Sequence, residues 1–220
     1  MVNKIKGVLI DLDDTLYEYE PCNEYAVKVT LEFLSGYSKL GVEKCRKMFL
    51  ESRREVKKNL PNNASSHSRL LYFKRLVEKI YGKTNPAMVL KLEKTFWNAY
   101  FKKMRLRKTG KKFLEECKKN GVKTIIVTNL TARVQLEKVV KLGLQNLLDF
   151  VITSEETGSE KPNARIIDFA LKSGGLDRQS VIFLGDKDDQ AAAKKAKIEF
   201  ILINSDADWK KAVSMLKTRA

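Results

Sequence analysis

The chain has 220 residues, with 43 Lys and Arg against 27 Asp and Glu, a net charge of +16 and a single His. At about 100–200 residues per domain, this is one domain with a large insertion or two small ones. An apolar share of 43% is enough for a buried core, which excludes wholesale disorder. No apolar run approaches the ~18 residues of a membrane span. The first eleven residues lack the long apolar stretch and small-residue cleavage site of a secretory leader. Cys22, Cys45 and Cys117 are odd in number and widely spaced. They match neither a disulfide framework nor a zinc set that the lone His67 could complete, so a reducing, cytoplasmic setting is expected.

Residues 5–10 read as a short buried strand that ends in Asp11, Asp13 and Asp14. From Tyr17 to about Arg105 the pattern predicts helices only, at about 22–39, 42–59, 67–81 and 86–104. Pro21 suits a first helical turn, Gly41 separates the first pair, Pro61-Asn62-Asn63 breaks the chain, and Gly82 and Pro86 bracket the last break. Met88, Leu92, Thr95, Phe96 and Ala99 recur at helical spacing and mark a core-facing stripe. This span, 17–105, carries 19 Lys and Arg against 9 Asp and Glu, so the positive excess concentrates there. His67 is expected on the surface, at a helix start.

Beyond it, helix and strand alternate. Thr109 is expected to cap a helix ending at Gly121, followed by a β-branched strand, Val122–Val127. A helix from Thr131 to near Gly143 precedes a strand at Phe150–Thr153. Pro162 is expected to start a helix reaching Ser173, followed by a strand at Val181–Leu184. A short helix over 188–197, a strand at Phe200–Ile203 and a helix from Asp206 to Lys217 complete the chain. This alternation predicts an α/β fold, a parallel sheet covered by helices on both faces, whose first strand is separated from the rest by a helical insertion.

In an open parallel sheet, ligands bind at the carboxyl ends of the strands. Those ends deliver Asp11-Leu12-Asp13-Asp14-Thr15, then Thr128-Asn129, Lys161-Pro162, and Gly185-Asp186-Lys187-Asp188-Asp189. Taken singly, each reads equally well as a turn, a helix start or a solvated lysine. Together they bring carboxylates, a hydroxyl, an amide and an ammonium to one crevice. Crowded carboxylates repel, and a hard divalent cation, Mg²⁺ by preference, relieves that repulsion. Lys161 and the Thr128 hydroxyl can bind the non-bridging oxygens of a phosphoryl group. With one Asp as nucleophile and another as general acid/base, the set can carry two-step phosphoryl transfer.

These four segments resemble the motifs of the haloacid dehalogenase-like superfamily, and the resemblance covers nearly the whole chain. It implies a Rossmann-like core at 1–16 and 106–220, with 17–105 as a helical cap of the C1 type that closes over the site and selects the substrate. It further implies Asp11 as nucleophile and Asp13 as general acid/base, with Thr128 and Lys161 holding the phosphate and Asn129 assisting. Asp11, the main chain of Asp13, and Asp186 would ligate Mg²⁺, and Thr15 would brace the first loop. In relatives a second acid follows four or five residues after the first in the last motif, ahead of a glycine-containing helix. Here Asp189 stands at +3, Gln190 at +4, and Ala191–Ala196 contains no glycine. Asp189 is taken as the further metal-side residue and Asp188 as the helix cap.

The dehalogenases of that superfamily lack an acid at the position of Asp13, so the chain is similar to its phosphatase branch. Receiver domains use a similar set of acids, Thr and Lys, but their phosphorylated Asp follows a middle strand. The expected activity is Mg²⁺-dependent hydrolysis of a small cytosolic phosphorylated metabolite, a sugar phosphate or a nucleotide. The alternatives are a phosphomutase, or a weakly active member that binds nucleic acid or protein through its basic cap. The basic cap favours a polyanionic substrate. Its Lys-Lys pairs are too scattered for a nucleic-acid motif, so neither nucleic acid nor membrane is an expected partner. Gln135, seven residues after Thr128, together with the Tyr-rich stretch 17–20, faintly resembles the sialic-acid-phosphate and nucleotide phosphatase branches.

Overall fold

A computed structural model describes residues 4–219. The chain divides into two compact units. One runs to Glu18 and resumes at Arg105, and the other is Tyr19–Met104.

The first unit is built on a five-stranded sheet of β1 (Gly7–Ile10), β2 (Lys123–Thr128), β3 (Phe150–Thr153), β4 (Val181–Gly185) and β5 (Glu199–Leu202). The order is β3-β2-β1-β4-β5, and every pairing is parallel. The strands are short and rich in Val and Ile. β1, β2 and β4 are buried along nearly their whole length, as a sheet covered on both faces requires. Leu9, Ile125, Val127 and Phe183 face a core closed by Ile166, Ile167, Ala170 and Leu171 of one helix and Ala192, Ala193 and Ala196 of another. On the opposite side, Phe113 packs its ring 5.4 Å from that of Trp209. Gly7 pairs with Lys123 on one side and Val181 on the other. The chain therefore builds β2 and β3 on one side of β1 and then crosses over to build β4 and β5 on the other. This reversal of strand order opens a crevice at the carboxyl end of β1.

In the second unit the bundle is α1 (Tyr19–Ser38), α2 (Val42–Asn59), α3 (Arg69–Tyr81) and α4 (Pro86–Lys103). Local chemistry sets its ends. Ser68 caps α3 by accepting the Leu71 N–H, Gly82 closes it at φ 67°, and Asn85 caps α4 ahead of Pro86. The core is aromatic: Phe49 stacks on Phe73, which packs on Phe96, which meets Trp97 edge-on. Of the predicted stripe, Leu92, Phe96 and Ala99 are buried, while Met88 and Thr95 are not.

The first unit continues with α5 (Lys108–Lys119), α6 (Ala132–Lys141), α7 (Ser154–Thr157), α8 (Arg165–Gly174), α9 (Gln190–Ala196) and α10 (Asp206–Arg219). Several predicted boundaries move. α1 starts at Tyr19, three residues early, and Pro21 is tolerated because it lies in the first turn. Thr109 does not cap α5; Arg107 precedes that helix, and the Thr109 hydroxyl donates to Asp206 at 2.5 Å. Pro162 does not start α8, because Asn163 Oδ1 accepts the Arg165 N–H in a turn that delays the helix. His67 ends a 3₁₀ turn, Ala64–His67. Among the described residues, no helix is long and apolar enough to cross a membrane.

Candidate active site

Asp11 follows β1 directly, and its backbone N–H still bonds across to Leu184. It is 5% exposed. Its carboxylate takes the Lys161 ammonium at 2.5 Å on Oδ1 and the Thr15 hydroxyl at 3.2 Å on Oδ2. The loop turns through Asp14, which adopts the left-handed conformation at φ 62°, a geometry that Asp tolerates better than most residues. Lys161 is equally close to Asp189, 2.5 Å from its Oδ1. Carboxylate oxygens of Asp11, Asp186 and Asp189 lie within 4.8 Å of one another.

The ends of β1 and β4 and the Lys161 loop thus form one buried polar cluster. Burial drives Asp11 well above the ordinary carboxylate range. Lys161 opposes that shift, and the charges of Asp189 and Asp13 add to it. Asp189 is raised for the same leading reason, with Lys161 opposing. Burial alone would lower Lys161, but its two carboxylate partners outweigh burial and raise it.

The residues fit a hard divalent cation. Three carboxylates converge, only two of them, Asp11 and Asp189, share an ammonium, and all the donor atoms are oxygens. Gly185 makes the arrangement possible, because a Cβ there would collide with the Asp189 carboxylate. Asp188 does not cap α9. The residue preceding that helix is Asp189, and Asp188 is exposed with its N–H on Asp186 Oδ1 at 2.7 Å.

Asp13 turns elsewhere. Its oxygens take the Lys138 ammonium at 2.7 and 2.8 Å, the Tyr17 hydroxyl, and Gln135 Nε2 at 3.3 Å. Desolvation raises this group, but the Lys138 charge and the hydrogen bonds from Lys138, Tyr17 and Gln135 prevail and hold it below its usual range. Thr128 ends β2 and is 1% exposed. Asn129 binds the Lys161 backbone at both ends of its amide, accepting the N–H at 2.8 Å and donating to the carbonyl at 3.2 Å. It thereby fixes the lysine loop against the end of β2.

Sequence reasoning missed Lys138 and gave Gln135 only a faint part. Both are buried on α6, one turn apart. A polar pair on an otherwise apolar helix face was the available signal. It also missed Leu130, held at φ 123°, where a non-glycine residue is strained. Its N–H bonds to Ser154 Oγ at 2.9 Å, an anchor that holds the turn after β2.

The family model described as haloacid dehalogenase-like hydrolase matches residues 8–203. A ribulose-1,5-bisphosphate 5-phosphatase of Halopiger xanaduensis is 40% identical over 204 residues, 90% of this chain and 84% of the relative. A glyceraldehyde 3-phosphate phosphatase of Methanothermobacter thermautotrophicus is 29% identical over 204 residues, 92% of this chain and 87% of that protein. Among solved structures, a 2-haloacid dehalogenase from Pseudomonas syringae superposes with a TM-score of 0.75 at 20% identity, covering 96% of this chain and 99% of the other. At that identity the likeness concerns the fold alone.

Proposed function

The chain belongs to the haloacid dehalogenase-like hydrolases, and from that premise we propose a Mg²⁺-dependent phosphomonoesterase that acts on a small phosphorylated sugar through an aspartyl-phosphate. It is a phosphatase of this superfamily. The observation that carries the finer reading is the Asp11 cluster: a buried carboxylate at the switch point of the sheet, tied to Lys161 and Thr15 and close to Asp186 and Asp189.

In this reading Asp11 attacks phosphorus and the bond from phosphorus to the ester oxygen breaks. Asp13, ionised against Lys138 in the free enzyme, takes up the proton of a monoprotonated phosphate ester and supplies it to the departing alkoxide. Water then attacks the aspartyl-phosphate, Asp13 takes its proton, and inorganic phosphate leaves with Asp11 restored. Lys161 and Thr128 hold the non-bridging oxygens, and Asn129 positions Lys161. Asp11, Asp186, Asp189 and the main chain of Asp13 would hold Mg²⁺, which when bound offsets the negative charge of the phosphoryl group.

The net charge of residues 17–105 favours a substrate with a second anionic group, in keeping with the bisphosphate named for the Halopiger relative. We place the protein in the cytoplasm, in accord with three buried cysteines held as thiols.

Phosphate release from an aryl phosphate, with Mg²⁺ and with EDTA, tests the reading in wild type and Asp11→Asn. Metal-dependent release that disappears in the variant is expected. Release that persists in Asp11→Asn would refute the nucleophile. Return of the phosphoryl group to the sugar, with no free phosphate, would make the enzyme a mutase.

A further inference from the structure

Gln135 is fully buried. Its Nε2 lies 2.8 Å from the Asn129 carbonyl oxygen and 3.3 Å from Asp13 Oδ2. Both partners accept only, so the network itself fixes which end of the amide faces them. The same nitrogen is 2.5 Å from Thr128 Oγ1. An amide nitrogen does not accept, so at this contact the Thr128 hydroxyl must be the acceptor. A hydroxyl has one hydrogen, and here it points away from Gln135. The protein acceptor within its reach is the Asn129 carbonyl at 3.5 Å, a long and weak contact. Gln135 Oε1 is buried without a partner, which is costly. Flipping the amide would cost more, because it would set that oxygen against a carbonyl and a carboxylate.

Lys138 follows one turn later on α6, and its side chain is 1% exposed. It holds both oxygens of Asp13, while Gln135 approaches Oδ2 and Tyr17 donates to Oδ1. One helix face therefore fixes two groups that arrive from different strand ends.

We propose that Gln135 and Lys138 are positioning residues of the reaction. Gln135 turns the Thr128 hydroxyl so that it donates to a phosphoryl oxygen, and Lys138 holds Asp13 in place for proton transfer. The inference rests on the roles given above to Thr128 and Asp13.

The test measures kcat and KM for an aryl phosphate, and competitive inhibition by inorganic phosphate, in variants whose thermal transitions confirm folding. Gln135→Met keeps the volume but loses the donor, and phosphate binding is expected to weaken about tenfold, the worth of roughly one hydrogen bond. Gln135→Glu keeps the shape but accepts the Thr128 hydrogen, so it is expected to weaken phosphate binding more than Gln135→Met does. In a Thr128→Val background the Gln135→Met effect should vanish. Lys138→Met should lower kcat about tenfold, with phosphate inhibition unchanged and partial recovery in Lys138→Arg. The proposal is overturned if Gln135→Glu binds phosphate better than Gln135→Met, if the Gln135 effect survives without the Thr128 hydroxyl, or if Lys138→Met moves both quantities equally. An Asp11→Asn variant assayed in parallel separates the failures: its continued turnover would refute the active-site reading itself.

Discussion

The two units bury charge in opposite ways. The sheet unit sets charge against charge, with Lys161 between Asp11 and Asp189 and Lys138 on Asp13. In the helical unit the Arg69 guanidinium, 6% exposed, lies 5.4–5.8 Å from the ring centres of Tyr19, Tyr72, Phe96 and Trp97. It donates to the His67 carbonyl at 2.7 Å and to the Tyr19 hydroxyl. Paired ions in a low-dielectric site depend on each other, whereas a cation against π faces depends on packing. The first arrangement stays poised for chemistry, and the second braces a bundle.

The comparison breaks first at Lys161. Lys161→Met leaves Asp11 and Asp189 facing each other without their ammonium, and it should cost about 3–5 kcal/mol in urea unfolding. The sign with pH is fixed. Without the lysine, both carboxyls titrate higher when folded than when unfolded, so the folded state binds more protons and stability falls as pH rises. The deficit should therefore shrink in acid. A uniform loss across pH would mean that Lys161 acts through packing alone.

Phe96→Ala asks the same of the helical unit. It removes a ring that meets Phe73, Trp97 and Tyr100, and about 3–4 kcal/mol is expected, with no pH dependence between 5 and 8. Next comes Asp189→Asn, which should weaken Mg²⁺ binding in calorimetry about tenfold or more, whereas Asp188→Asn should leave it nearly unchanged. A larger defect at Asp188 would remove Asp189 from the metal side. Arg69→Met should cost only ~1 kcal/mol, and Arg69→Lys should not recover it, because an ammonium lacks the planar face that stacks on rings.

What was legible in the sequence was local. Strands of Val and Ile, each followed by an acid, a hydroxyl or an amide, announce themselves within six residues. The rule about strand ends then brings Asp11, Asp186 and Asp189 together without any knowledge of distance. Lys138 was illegible because a lysine on a helix counts as solvated unless a distant carboxylate reaches it, and Asp13 lies 125 positions away in the chain. The sequence reading turns Asp189 inward but wrongly places the helix cap at Asp188, for a different reason. Either can precede a helix, and only the crowding of Asp189 against Gly185 decides which turns inward. The four-residue α7 gave no periodicity to find, although Thr153 and Glu156 form a capping box in plain view.

An effect on reactivity, with no expected change in stability, bounds the comparison. Cys117 is buried in the same unit as the charge cluster but away from it, on α5. Burial pushes its thiol up to about 12, with a hydrogen bond from Thr124 only partly opposing. The sheet unit thus tolerates charge only where a counter-charge is built in. With Cys22 and Cys45 replaced by Ser, alkylation of Cys117 at pH 8 should run roughly 10³-fold slower in the folded protein than in urea, since only the thiolate reacts. The rate should rise with pH without levelling off up to pH 10. Rapid labelling at pH 8 would mean that α5 opens from the sheet without global unfolding. The contrast between the units would then be one of local stability, with charge pairing a secondary matter.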